Sequence, residues 1–475
     1  MPADLGHPSV GRPSGVGHLS GNCPKMGQLP DRCPTPDGRP VEKTVLIANL
    51  SVNPGNGLLV EADGCWTNWE PIELGAGSTI APAREGIELR IWCYGNRFDE
   101  ALARSYAYDE ESNWTTFLPD EGSCDWICSP TAPWACPSDR FVRVTVRGAS
   151  EPAVLGDAAS IQAIPPERTP LPKDINAEID RVCSRVEELR EPDDLVLVLL
   201  SDIHYATGCI WPDTARTVQT VASRIHPDAI VQLGDLTDGI APARVTASFV
   251  SHVLDDLQAC DVPVLGCTGN HDTNYFKGNA EQLSAHEAAR LCTGRDDLWY
   301  FKDFPASKVR CFFLKSFDHN RKERYGYEAE QVKWLRRELR RTPHGWQVIV
   351  FSHLTLHASL HWWSKTIMNE GPLVRALERF NWWRRGALAA FIHGHSHVDQ
   401  VYHRDSFPCI SIGCTKFEDF QECKPWGSTT PAREMGTASQ ELWDVLILKQ
   451  REPRLQLIRF GAGDDRSVTC YDRAR

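Results

Sequence analysis

The sequence predicts an α/β protein in which sheets are covered by helices, preceded by a small all-β sandwich. Three observations carry this. From about residue 191 to 462, apolar runs of strand length alternate with helical patterns. From about 43 to 150, apolar residues recur with period two between Gly, Pro and Asn turns. Between them lies a proline-rich stretch, and 475 residues exceed one ordinary domain.

Residues 1–42 are dense in Gly, Pro and Ser without periodicity and read as a disordered tail. In 43–150, Ile87, Leu89, Ile91 and Cys93 alternate with polar positions, as do Val142, Val144 and Val146. Six tryptophans fall here (Trp66, Trp69, Trp92, Trp114, Trp126 and Trp134). They suit a sugar-binding platform or, more ordinarily, core and edge packing. A glycan or a protein is therefore the expected partner of this domain. Residues 151–173 read as a linker because Pro152, Pro165, Pro166, Pro170 and Pro172 break regular structure. Ile175, Ile179, Val182, Val186 and Leu189 then follow at helical spacing.

The α/β region is read as 174–462. LVLVLL precedes a helix near 213–226, AIVQL one near 243–260, and PVLGC one near 280–292. FFLKS follows, then a helix near 327–341, QVIVF, a helix near 370–381, and ALAAFI. Val445–Leu448 and Leu455–Phe460 read as a closing hairpin, and 463–475 as a C-terminal tail.

Composition narrows the function. Fifty-one basic residues against 63 acidic give a formal charge of −12, which disfavours a nucleic-acid partner. Arg336, Arg337, Arg340 and Arg341 read as a solvated helix face. No stretch reaches the ~18 apolar residues of a membrane span, and the start shows no apolar leader core. Seventeen cysteines, an odd number, suit reduced thiols. A cytoplasmic location and no membrane partner are the expectations. Cys124, Cys128 and Cys136 lack the paired spacing and fourth ligand of a zinc knuckle.

The polar residues at the end of each apolar strand are more informative. LVLVLL ends in Ser201-Asp202-Ile203-His204, and AIVQL in Gly234-Asp235-Leu236-Thr237-Asp238. PVLGCT ends in Gly269-Asn270-His271-Asp272, QVIVF in Ser352-His353, and ALAAFI in His393-Gly394-His395-Ser396-His397. In α/β sheets the carboxyl edge is where ligands bind. A single His there is ordinarily a loop residue, but packing does not call for five such groups in register. Carboxylate, amide oxygen and imidazole without thiolate suit Mn, Fe or Zn. The donors exceed what one four-coordinate ion needs, and two ions sharing a carboxylate are a standard device for displacement at phosphorus.

At these residues the sequence resembles the calcineurin-like metallophosphoesterase superfamily: D-x-H, G-D-x-x-D, G-N-H-D, an isolated His, then G-H-x-H, in that order. The resemblance implies a four-layer α/β/β/α sandwich with mixed sheets. It implies two divalent metals, one held by Asp202, His204 and His397, the other by Asn270, His353 and His395, with Asp235 shared. It further implies hydrolysis of a phosphate ester by a hydroxide held between the metals, with His271 acting on the phosphate, Asp272 orienting His271, and Asp238 supporting the ligands. The expected substrate is a small phosphorylated molecule, a nucleotide among the candidates, and a phosphodiester is slightly favoured. The alternatives are a phosphomonoesterase or protein phosphatase of the same superfamily, or a silent binding module targeted by the β-domain. Many relatives carry a proline two residues after the isolated His, where this chain has Leu354-Thr355. His353, His357 and His361 are four apart. On a helix such a row would make a third metal site, but the reading preferred is that only His353 binds metal while His357 and His361 line or flank the cleft. Asp318, just after FFLKS, is placed in the same cleft. Trp362, Trp363, Trp382 and Trp383 would wall the cleft or pack between helices.

Overall fold

The computed structural model describes residues 40–53, 59–69, 71–94, 119–123, 126–165, 171–205, 210–361, 366–417 and 427–470. The expectations for residues 1–39, Trp114, Cys124, Trp362 and Trp363 fall outside these.

The N-terminal region is strand-rich. It contains β1 (Leu46–Val52), β2 (Leu59–Asn68), β3 (Ile72–Leu74), β4 (Thr79–Pro82), β5 (Glu88–Tyr94), β6 (Pro119–Ser123), β7 (Trp134–Ala135), β8 (Arg140–Arg147) and β9 (Ala159–Gln162). One sheet runs β1-β2-β8-β5-β6 with β3 also on β8, and a second runs β7-β4-β9. The alternating Leu89, Ile91, Val142, Val144 and Val146 bury their side chains with Ile80 and Leu155. β9 lies in the stretch read as a linker. No proline stands between Pro152 and Pro165, so Ala159–Gln162 can pair with β4. Trp92 is buried, and Trp66 and Trp134 pack on the sandwich core. The guanidiniums of Arg90 and Arg147 stand 4.5 and 3.9 Å from the ring centre of Trp126.

Among its described residues the α/β region contains six α-helices. They are α1 (Ile175–Leu189), α2 (Trp211–Ile225), α3 (Ala243–Gln258), α4 (Ala285–Thr293), α5 (Ala329–Arg341) and α6 (Glu370–Trp383). α4 begins later than the periodicity predicts because Ser284 caps it. The Ser284 hydroxyl accepts from the Glu287 amide, and the Glu287 carboxylate accepts from the Ser284 amide.

Two six-stranded mixed sheets face each other. The first has the order β12 (Val264–Gly266), β11 (Ala229–Gln232), β10 (Leu195–Leu200), β19 (Leu442–Leu448), β20 (Arg454–Gly461) and β21 (Arg466–Thr469). The second has the order β13 (Tyr300–Phe304), β14 (Val309–Leu314), β15 (Gln347–Ser352), β16 (Leu388–His393), β18 (Cys409–Ile412) and β17 (Asp399–Tyr402). β10, β11 and β12 are parallel to one another, as are β14, β15, β16 and β18. β21 lies in the segment read as a tail and pairs antiparallel with β20.

The pleat of β10 shows how the layers form. Leu195, Leu197 and Leu199 enter the core between the sheets, with Phe313, Ile349, Phe351 and Ile392 opposite. Val196, Val198 and Leu200 face α1, α2 and α3. Phe312, Val348 and Val350 do the same under α5 and α6. A strand buried on both faces needs an apolar run rather than alternation, which is what LVLVLL is. The layers are therefore helix, sheet, sheet, helix, as expected. Among the described residues no helix is long and apolar enough to cross a membrane.

Candidate metal centre

Each strand carrying a polar motif ends at the same rim, and the backbone there is unusual. Asp202, His204, Asp235, His395 and His397 all have positive φ, between 46 and 65°. Such a left-handed residue costs about 1–3 kcal/mol when it is not glycine, and cases cluster at functional sites. The flanking glycines permit close approach. A Cβ on Gly394 would lie 1.7 Å from Ser201 Oγ, and one on Gly269 would lie 2.0 Å from Asp235 Oδ1.

Two nests of donors meet at Asp235. Asp202, His204 and His397 form one nest, and Asp235, His353 and His395 the other; a third grouping joins His204, Asp235 and His271. Asp235 Oδ2 stands 3.1 Å from His353 Nε2 and 3.8 Å from His204 Nε2, so one oxygen faces both nests. Asn270 Oδ1 lies 3.0 Å from His353 Nε2. His397 Nε2 lies 3.3 Å from Asp202 Oδ1. The structure thus brings together every residue the resemblance assigned to metal.

The proton inventory shows that these nests fit cations. His353 Nδ1 must donate, because it lies 2.8 Å from the Leu233 carbonyl. Its Nε2 lone pair then faces Asp235 Oδ2, Asn270 Oδ1 and His395 Nδ1, the last at 3.1 Å. His204 repeats the pattern. Its Nδ1 donates to Asp238 Oδ1 at 3.0 Å, and its Nε2 faces His397 Nε2 at 3.3 Å. Lone pairs aimed at one another are repulsive without a positive charge between them. Burial opposes charge on His353, yet Asp235 beside it lifts its imidazole to about 9. Burial also disfavours the Asp235 carboxylate, but His353 and His271 outweigh it and hold its carboxyl well below the usual range. The two shifts are largely one attraction seen from its two ends, the His353 imidazole paired with the Asp235 carboxylate. His395 goes the other way, with burial and neighbouring His353 holding it well below the ordinary value. The donor set is oxygen and imidazole without thiolate.

Around the nests, two expectations are corrected. Asp272 is fully buried, and its carboxylate accepts from the amides of Asp235, Leu236 and Gly269 at 2.7–3.0 Å. It clamps two loops, while the His271 ring is set by Nδ1 donating to the Asp238 carbonyl at 2.6 Å. The histidine row is not helical. His357 and His361 flank a short 3₁₀ turn at Ala358–Leu360. His357 is buried between carboxylates, with Nε2 2.6 Å from Asp405 and Nδ1 3.3 Å from Glu370, so it ties loops together instead of lining the cleft. Asp318 accepts from Lys315 at 2.9 Å and from the Asn320 amide at 3.1 Å, so its carboxylate is already engaged by neighbours.

The supporting role expected of Asp238 has a geometric basis: its carboxylate orients His204, and its carbonyl orients His271. Lys416 and His204 hold its carboxyl near 2 despite burial.

His361, expected to line or flank the cleft, reaches a ligand, and sequence reasoning missed a flanking aromatic wall. His361 Nε2 lies 2.9 Å from His395 Nε2. The Tyr325 ring stands 5.4 Å from His395, and Phe276 stands 4.3 Å from His271. The Tyr275 ring stands 4.8 Å from Phe317, which in turn stands 5.1 Å from Tyr325. Tyr275 and Phe276 come just after the GNHD block, the one signal available in sequence.

No curated protein matches the chain in sequence. Among solved structures, a dimetal phosphatase from Danio rerio is similar over 59% of this chain and 100% of that one, at 17% identity and TM-score 0.45. A purple acid phosphatase from yellow lupin is similar over 85% of this chain and 71% of that one, at 11% identity and TM-score 0.39. The model of the calcineurin-like phosphoesterase family matches residues 195–399, a span from the start of β10 to Asp399 that holds every candidate ligand. Residues 195–399 therefore form a calcineurin-like metallophosphoesterase domain.

Proposed function

We infer that the chain hydrolyses phosphodiesters with two divalent cations at the rim. Asp202, His204 and His397 would hold one, Asn270, His353 and His395 the other, and Asp235 would be shared between them. The observation that carries this is the convergence of lone pairs from both nests on Asp235. Bound there, such cations would acidify a water and neutralise charge on the phosphate oxygens.

The chain's own residues supply the rest. His271 sits half-buried at the mouth with Nδ1 committed to the Asp238 carbonyl. In its protonated form it offers Nε2–H to the departing oxygen. Asp272 keeps the loops bearing Asp235 and Asn270 in register, so the nests are formed before substrate arrives. The preference for a diester rests on the flank. Tyr275, Phe276 and Tyr325 present ring surface for a second ester substituent, one with a planar face above all. Lys315 and Arg321 on the same side are paired with Asp318 and Glu328, so their charge is already met.

The test is hydrolysis of a bis-aryl phosphate beside the matching aryl monophosphate, after removing metal and restoring Mn²⁺. Diester turnover that requires metal and falls about 10²–10⁴-fold in His271→Ala is the expected result. Turnover of the monoester alone would reassign the substrate class. Two bound metals with no turnover using Mn²⁺, Fe²⁺ or Zn²⁺ would remove the enzymatic reading.

A further inference from the structure

The outer helical layer over the second sheet has a character that catalysis does not use. On α5, Lys333, Arg336, Arg337, Arg340 and Arg341 are all exposed. On α6 and just past its end, Arg375, Arg379 and Arg385 are exposed and Arg384 is half-buried. The two helices carry four carboxylates, and three of these are engaged nearby. Glu338 is buried and shared by Arg337 and Arg341. Glu370 holds His357, and Glu378 accepts from the Ser406 amide and hydroxyl. An acidic chain of formal charge −12 thus presents one strongly basic face.

That face ends in exposed aromatics. Trp382 is 77% exposed and Trp383 57%, so neither walls the cleft nor packs between helices, the two roles their sequence context suggested. Arg384 fixes the local geometry. Its guanidinium sits 4.7 Å from the Trp383 ring centre and donates to the Thr342 carbonyl beside Arg341, joining the ends of both helices. The metal ligands follow the carboxyl ends of β15 and β16, whereas this aromatic end lies where those strands begin, at Gln347 and Leu388. The two features occupy opposite edges of the same sheet.

We propose that this face docks the protein on an anionic phospholipid surface, with Trp382 and Trp383 entering the headgroup region and the arginines meeting lipid phosphates and carboxylates. Tryptophan favours that interface because its ring is apolar and its N–H polar. Arginines draw a protein to anionic lipid from the aqueous side. Single-stranded nucleic acid is the other polyanion with both affinities, but it is held along a groove that tracks its backbone. Two adjacent side chains this exposed project outward and do not line a groove. Docked this way, the protein keeps its catalytic rim turned from the membrane, open to soluble substrate.

The test is co-sedimentation of the full chain with phosphatidylcholine vesicles and with vesicles containing 30% phosphatidylserine (about one lipid in three, within the range of anionic leaflets). Binding only to the anionic vesicles, weakened by salt, is expected. The double variant Trp382→Ala/Trp383→Ala and, separately, Arg340→Glu/Arg385→Glu should each lower binding at least about tenfold. Their metal content and thermal transition should match the parent, which separates lost docking from lost fold and from failure of the catalytic reading. No binding to anionic vesicles, or equal binding by the variants, overturns the proposal. Binding of an oligonucleotide that the same variants abolish, without vesicle binding, would assign the face to nucleic acid instead.

Discussion

At the scale of single residues, the centre depends on which nitrogen of each histidine faces inward. His353 and His204 each give Nδ1–H to a fixed oxygen, which leaves Nε2 for the rim. His395 is placed differently, with Nδ1 toward His353 and Nε2 toward His361. If His395 gives Nε2–H to His361, its Nδ1 lone pair is free to hold a cation, and His361 acts as a positioning residue. Outer partners of this kind are typically worth about 10–100-fold in metal affinity. His361→Ala should therefore weaken one of two Mn²⁺ sites by that factor in a calorimetric titration, with the other unchanged. Affinities at both sites unchanged from the parent would dismiss the role. The sequence showed His361 as the third of three evenly spaced histidines. It could not show that the spacing is coincidental, because a 3₁₀ turn interrupts the segment.

At the scale of elements, the last ligand loop is pinned by a buried ion network. Asp399 follows His397 by two residues and opens β17. Arg459 of β20 is fully buried. It donates to Asp399 at 2.8 and 2.9 Å and to Asp444 of β19 at 3.0 Å. Arg466 of β21 reaches Asp399 at 3.0 Å and also binds Asp444. The C-terminal hairpin of one sheet thus holds the edge of the other beside the G-H-x-H loop. Removing one partner of such a network leaves a carboxylate buried without compensation, at a cost of about 3–5 kcal/mol. Arg459→Met should lower stability by that amount in urea unfolding and loosen the His397 nest. A loss under about 1 kcal/mol would mean that water reaches the carboxylates. In sequence this appears only as an Asp and an Arg sixty residues apart, each at a strand position. The short strands β13, β17 and β18 were likewise missed, because runs of four or five residues carry too little periodicity to separate from loop.

At the scale of the whole molecule, stability should depend on pH through a group far from the rim. Glu441, just before β19, is fully buried and accepts from the Thr214 hydroxyl of α2 at 2.7 Å. Burial lifts its carboxyl from the ordinary 4.5 to about 8. The folded state therefore binds this proton more tightly than the unfolded chain does. The stabilisation is full below about 4.5 and is lost as pH rises through 8. Glu441→Gln keeps the shape and removes the titration. Its melting temperature should match the parent near pH 4.5 and exceed it by several degrees above pH 8. Parallel melting curves across that range would show that Glu441 is ionised in the fold.

The order of residues along the chain was enough to specify the α/β class and the strands that end in polar motifs, and the family resemblance those motifs carry supplied the layering and the seven candidate ligands. These are legible because each depends on local order: a buried strand needs an unbroken apolar run, and a ligand loop needs its Asp or His at a fixed offset beside glycine. Closure of the fold settled the remainder. It turned His357 toward Asp405 and Glu370, engaged Asp318 with Lys315, and set Asp272 on backbone amides. It also placed Trp382 and Trp383 in solvent beside the arginines of a second helix. Such pairings join segments tens of residues apart, and no local pattern encodes which of several polar neighbours a side chain will meet once the sheets have closed.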